Sequence, residues 1–106
     1  GLDVAAPEGS SIHAAASGRI VFNGMLGGYG KTVVIYHGDG VTTIYAHNSV
    51  NLRDRGDLVR KGDVIAFVGH SGKATGNHCH FEVRRDGKPT NPLRFSYSKN
   101  PLLARR

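Results

Sequence analysis

The chain has one cysteine, one methionine, four prolines and no tryptophan among its 106 residues. A lone thiol, Cys79, excludes an internal disulfide framework and a cysteine-rich zinc knuckle. It leaves the compartment open, because many exported bacterial proteins also lack disulfides. No apolar run is longer than a few residues, so no segment has the length of a membrane-crossing helix. Acidic groups are scarce too: 8 Asp and Glu against 14 Lys and Arg, a formal charge of +6. That balance fits a polyanionic partner, whether nucleic acid, an anionic membrane or an anionic cell-wall polymer. It fits a plain solubilising surface equally well. Nucleic acid ranks lowest, because the basic residues stand singly or in pairs, as at Arg84-Arg85 and Arg105-Arg106, with no aromatic-interleaved basic motif. A signal peptide is also missing: Gly1-Leu2-Asp3 begins inside what reads as a strand, so a processed product or a piece of a longer protein is expected.

Glycine is what the chain has in excess. Its 15 glycines are about twice the usual share, scattered between short apolar runs, as many strands joined by tight turns require. The segment VTTIYAH from Val41 is β-branched and aromatic with alternation, which argues strand over helix. Further strands are expected at Leu2–Ala5, Ser11–Ala15, Gly18–Phe22, Lys31–Tyr36, Asp63–Val68 and His78–Arg84. HGDG at 37–40 and Asp86-Gly87 read as hairpin turns. SGRIVFNG and KGDVIAFVG, at 17–24 and 61–69, echo one another faintly as Gly–strand–Gly units. No segment reads as a helix. The expected fold is all-β: a compact sandwich or barrel of antiparallel sheets with a groove. Asn91-Pro92 closes the pattern, and the remainder from Leu93 is expected to be a loosely attached surface segment.

The chemistry concentrates in GNHCHFEVR, residues 76–84. In an extended strand His78 and His80 point to one face, about 6.5–7 Å apart, with Cys79 and Phe81 on the other. An isolated HxH is more often a pair of surface histidines than a site. Here it has company: His47 ends TTIYAH, and Asp3 lies in GLDVAAP. Zinc takes imidazole nitrogen and carboxylate oxygen, so an Asp and His set suits it. Manganese or iron would accept the same ligand types.

GLDVAAPEGSSIHAAASGRIVF, GYGKTVVIYHGDGVTTIYAH and LVRKGDVIAFVGHSGKATGNHCHFEVRRDGKPTNPL together resemble the LytM/lysostaphin-type zinc metallopeptidases of bacteria. The resemblance covers residues 1–95, with the start of the domain lying upstream of Gly1 and 96–106 as a C-terminal tail. It implies a zinc-dependent endopeptidase that cleaves peptide cross-links or bridges of peptidoglycan, outside the cytoplasm. By the family's motifs, Asp3 of HxGxD and His80 would ligate zinc, while His47 and His78 would be catalytic. Peptidoglycan stem or cross-bridge peptides would be the partners, with no nucleic acid and no membrane span in this chain. Glu82, two residues past His80, would either orient a ligand or simply pair with Arg84. Tyr29, in LGGYG with Gly27, Gly28 and Gly30, would either close over a substrate or belong to an ordinary strand connection.

The departures define the alternatives. The HxGxD histidine falls two positions upstream of Gly1, so the third ligand belongs either to a longer parent or to no site at all. His70 is the one histidine within this chain that could substitute, since His13 and His37 read as structural. Asn77 and Cys79 stand where the family usually has proline and leucine. Asn48 replaces a leucine, and His70 a small or hydroxyl residue. If the site is degenerate, the resemblance implies a domain that binds and activates cell-wall amidases, with envelope division proteins as possible partners. A wall-binding module held by the basic surface is a third reading. A phosphocarrier or lipoyl-type carrier is a fourth, and neither Lys61 nor Lys73 stands in the setting that it needs.

Overall fold

The computed structural model describes residues 1–91. Nine strands form one antiparallel sheet that folds over on itself. In chain order they are β1 (Leu2–Ala5), β2 (Ser11–His13), β3 (Gly18–Met25), β4 (Lys31–Gly38), β5 (Val41–Asn51), β6 (Leu58–Val59), β7 (Val64–Val68), β8 (His78–Arg85) and β9 (Lys88–Thr90). The larger layer runs β1-β8-β5-β4-β3-β6, with β9 also paired to β8. Among the described residues the sole helical element is a 3-10 turn, Gly27–Tyr29.

The second layer, β2 with β7, is reached through β5. As far as Ala46, β5 pairs with β8, setting Ala46 opposite His80. From Asn48 it pairs with β7, setting Asn48 opposite Val68. Between the two stands His47 at φ 63°, a left-handed conformation uncommon for a non-glycine residue. One strand thus belongs to both layers, and a histidine occupies its bend.

Alternation supplies the core. On β8, Cys79, Phe81 and Val83 turn inward and are essentially unexposed. They meet Ile12, Ile20, Ile35, Tyr45, Ile65 and Val68 from the facing strands, and the Tyr45 and Phe81 rings lie 5.4 Å apart. Burying each such aliphatic or aromatic side chain contributes about 2 kcal/mol. His78, His80, Glu82 and Arg84 fall by the same alternation on the opposite face.

The strands expected from the sequence are all present, with shifted ends. β2 stops at His13 because Ala14 leaves the ladder to bond Asp63 and Gly62. β5 outruns its expected end by joining the second layer. β6 and β9, only two and three residues long, carry too little pattern to be expected. Asp39-Gly40 and Asp86-Gly87 both take consecutive positive φ, the primed hairpin geometry their sequences called for. The expected surface tail lies outside the described residues.

Candidate metal and catalytic site

Sheet register brings together residues far apart in sequence. Asp3 on β1 sits directly opposite His80 on β8. Its Oδ1 approaches His80 Nδ1 at 2.7 Å and His78 Nε2 at 3.7 Å. The His47 ring lies edge-on to His78, centroids 4.9 Å apart, and 6.0 Å from His80. The four side chains singled out in the sequence therefore form one cluster. Gly1 fits tightly beside it: a Cβ there would stand 2.6 Å from His80 Cε1.

Hydrogen bonding constrains each imidazole. His47 Nδ1 faces the Ser71 carbonyl at 2.7 Å, and His78 Nδ1 faces the Gly76 carbonyl at 3.0 Å. A carbonyl can only accept, so each Nδ1 carries a proton, and in the neutral ring it is Nε2 that holds the lone pair. His80 differs. Its Nδ1 meets Asp3 while its Nε2 meets Glu82 Oε2, also at 2.7 Å. A neutral ring has one N–H for these two carboxylates, so both contacts are hydrogen bonds only when the ring carries two protons.

Behind His80 stands a cluster built around the buried Glu82. Tyr29 donates its hydroxyl to Glu82 Oε2 at 2.5 Å, and Arg84 Nε donates to Oε1 at 3.0 Å. Arg84 also donates to the Tyr29 hydroxyl at 3.1 Å. Burial pushes the Glu82 carboxyl up, but the bonds from Tyr29, His80 and Arg84 outweigh it and hold the group at about 2. The hydrogen bond to Glu82, with burial and the carboxylate's charge, raises the Tyr29 hydroxyl above its ordinary 10.0. Asp3 is held below the usual carboxylate range, chiefly by its bond to His80. Glu82 thus serves His80 and Arg84 at once, and Tyr29 stacks on the His80 ring at 5.6 Å.

The donor set suits zinc in part. Asp3 Oδ1 and His80 Nδ1 are a carboxylate and an imidazole side by side, 2.7 Å apart. Glu82 on the other nitrogen is the carboxylate–histidine arrangement that metal-binding histidines favour. Zinc takes four ligands, and among the described residues no cluster of three or more His, Cys, Asp or Glu is arranged to hold a metal. His70 does not stand in: its Nδ1 bonds Asn77 and approaches Glu8 at 3.3 Å, with the side chain 63% exposed. His13 and His37 bond backbone carbonyls at Gly62 and Ser17, in keeping with structural roles.

One part of the site had no signal in the sequence. The loops at 27–30 and 69–73 clasp each other, with Lys73 N–H donating to the Gly28 carbonyl at 2.9 Å. Gly30 and Gly72, both at positive φ, touch so closely that a Cβ on either would meet backbone at 2.5 Å. The Ser71 hydroxyl donates to the Asn48 carbonyl at 2.6 Å and accepts from Lys31 N–H. This clasp is what holds the Ser71 carbonyl against His47.

Comparison with known proteins places the chain in a family. The chain belongs to peptidase family M23, whose model matches residues 1–92. It is 50% identical over 93 residues to the DD-carboxypeptidase/endopeptidase Mpg of Neisseria meningitidis, covering 88% of this chain and 21% of that protein. It is 41% identical to the murein hydrolase activator NlpD of Escherichia coli, over 90% of this chain and 25% of that one. Among solved structures, the catalytic domain of lysostaphin from Staphylococcus simulans superimposes with TM-score 0.83 at 29% identity, over 90% of this chain and 76% of that chain. A zinc containing peptidase from Vibrio cholerae gives 0.83 at 30%, over 91% and 30%. The chain thus spans about a fifth of the length of Mpg and a quarter of that of NlpD.

Proposed function

We propose that this chain is the catalytic domain of a zinc-dependent endopeptidase that cuts peptide cross-links or bridges of bacterial peptidoglycan, acting outside the cytoplasm. The convergence of Asp3, His47, His78 and His80 into one cluster carries the reading. Asp3 and His80 would hold the metal, together with the histidine that the family motif sets two positions before Gly1. Bound zinc would supply a Lewis acid and lower the pKa of a bound water toward about 7.

The remaining work falls to the chain's own groups. In their neutral forms His47 and His78 each have Nε2 free to accept, and their rings are adjacent, so either can take a proton from the attacking water. The nitrogen so protonated becomes an N–H donor, able to stabilise the developing oxyanion or to return the proton to the leaving amine. The carbonyls of Ser71 and Gly76 fix both tautomers, so no ring flip is needed.

The test pairs zinc content with hydrolysis of purified peptidoglycan, for this chain and for a version extended upstream through the motif histidine. About one zinc per chain and release of peptides by the extended form supports the reading. Metal-free, inactive protein in both forms overturns it. The likeness to NlpD favours one second reading, a domain that activates cell-wall amidases without cutting. Stimulation of a purified amidase by the metal-free protein would establish it.

A further inference from the structure

The cavity beside His47 and His80, about 350 Å³, is completed by Gly28, Tyr29 and Lys73. Lys73 has no part in the chemistry above, yet its position is built. Its N–H is tied to Gly28, and its stem crosses that glycine, where an added Cβ would come within 3.3 Å of Lys73 Cδ. Other cations nearby are engaged: Arg84 with Glu82 and Tyr29, Lys31 with the Ser49 carbonyl at 2.9 Å. Among the described residues, nothing pairs with the Lys73 ammonium.

We infer that Lys73 is a specificity-determining residue that reads a carboxylate on the peptide, within a residue or two of the bond offered to His47 and His80. The inference rests on the proposed peptidase reading and names a feature of its substrate. A cavity this small admits little more than the residues flanking the bond, and an extended peptide advances about 3.3 Å per residue. A lysine whose stem already lies against the wall loses less freedom on pairing than one waving in solvent. The carboxylate can be the peptide's own C-terminus or an acidic side chain, which present the same group to the ammonium.

The experiment uses the full-length, zinc-loaded protein and its Lys73→Gln and Lys73→Arg variants, each also carrying His78→Ala so that bound peptide survives. Calorimetry measures binding of three glycine- and alanine-based peptides: one with a free C-terminus, one amidated, and one amidated with a single internal glutamate. Peptides bearing a carboxylate are expected to bind about fivefold tighter than the plain amide. Lys73→Gln should erase that difference without weakening the amide, and Lys73→Arg should keep it. Preference for the free C-terminus makes the chain end the target, and preference for the glutamate peptide makes it a side chain. Equal binding of all three, or selectivity that survives Lys73→Gln, overturns the inference. Hydrolysis is followed in parallel with His78 intact. Lys73-dependent selectivity without cleavage keeps the inference and overturns the peptidase reading, while cleavage indifferent to Lys73 does the reverse. Failure of all three peptides to bind overturns the inference whatever the cleavage result.

Discussion

His80 has a carboxylate on each ring nitrogen, and the two do different work. Asp3 takes the Nδ1 side, where the proposed metal would bind, while Glu82, held by Tyr29 and Arg84, sets the ring's orientation from behind. Glu82→Gln keeps the shape but loses the charge that gathers those donors. Zinc affinity is expected to fall about 10–100-fold, read by chelator competition on the extended form. His47→Ala or His78→Ala should abolish hydrolysis, by about a hundredfold or more, while circular dichroism and zinc content stay as in the parent. Wild-type turnover by either variant would remove that histidine from the mechanism. At this scale the sequence was generous where a side chain acts: Asp3, His47, His78 and His80 were all legible as one set. Glu82 was legible only as a choice between two partners, and the structure gives it both. The Ser71 carbonyl was invisible, because a backbone oxygen leaves no mark on residue identity.

At the scale of elements, the clasp between the loops at 27–30 and 69–73 is the support nearest the chemistry. Gly72 sits at φ 71°, and a Cβ there would stand 2.5 Å from the Gly28 carbonyl oxygen. Gly72→Ala is therefore strained on both counts. A loss of about 1–3 kcal/mol is expected in chemical denaturation. A larger relative effect on turnover should follow, since a shift of about 1 Å near reacting groups can cost a hundredfold. A kcat that falls in step with the folded fraction alone would show that the clasp supports the fold and not His47. Long strands declared themselves through alternation and β-branching. β6 and β9 exist only because longer partners, β3 and β8, offer an edge to pair with, and no local pattern encodes that.

Across the whole molecule, two groups make stability depend on pH in separate windows. His37 is held below its ordinary 6.5, because burial penalises its charged form more than the Ser17 carbonyl favours it. Its Nε2 meanwhile accepts from the Thr43 hydroxyl at 2.7 Å. Just below pH 6.5 the unfolded chain binds a proton that the folded chain refuses. Stability is then full above that value and declines as pH falls through the folded one. Glu82, ordinarily near 4.5 and about 2 when folded, adds a second loss confined below pH 4.5. Melting temperature against pH should show both limbs, and His37→Gln should remove the upper one while sparing the lower. A single limb in the parent would mean that one of these groups is not as buried or as bonded as described.

The bend at His47 has a bearing on safety. Because one strand joins both layers and turns at that histidine, its ring takes up its position only when each layer is complete and the two are seated on one another. A chain half assembled, or opened by heat or force along the seam between layers, keeps its histidines but loses their arrangement. A cutter of the wall built this way would be blunt until finished and blunt again once damaged, so that its hazard to the cell ends with its fold.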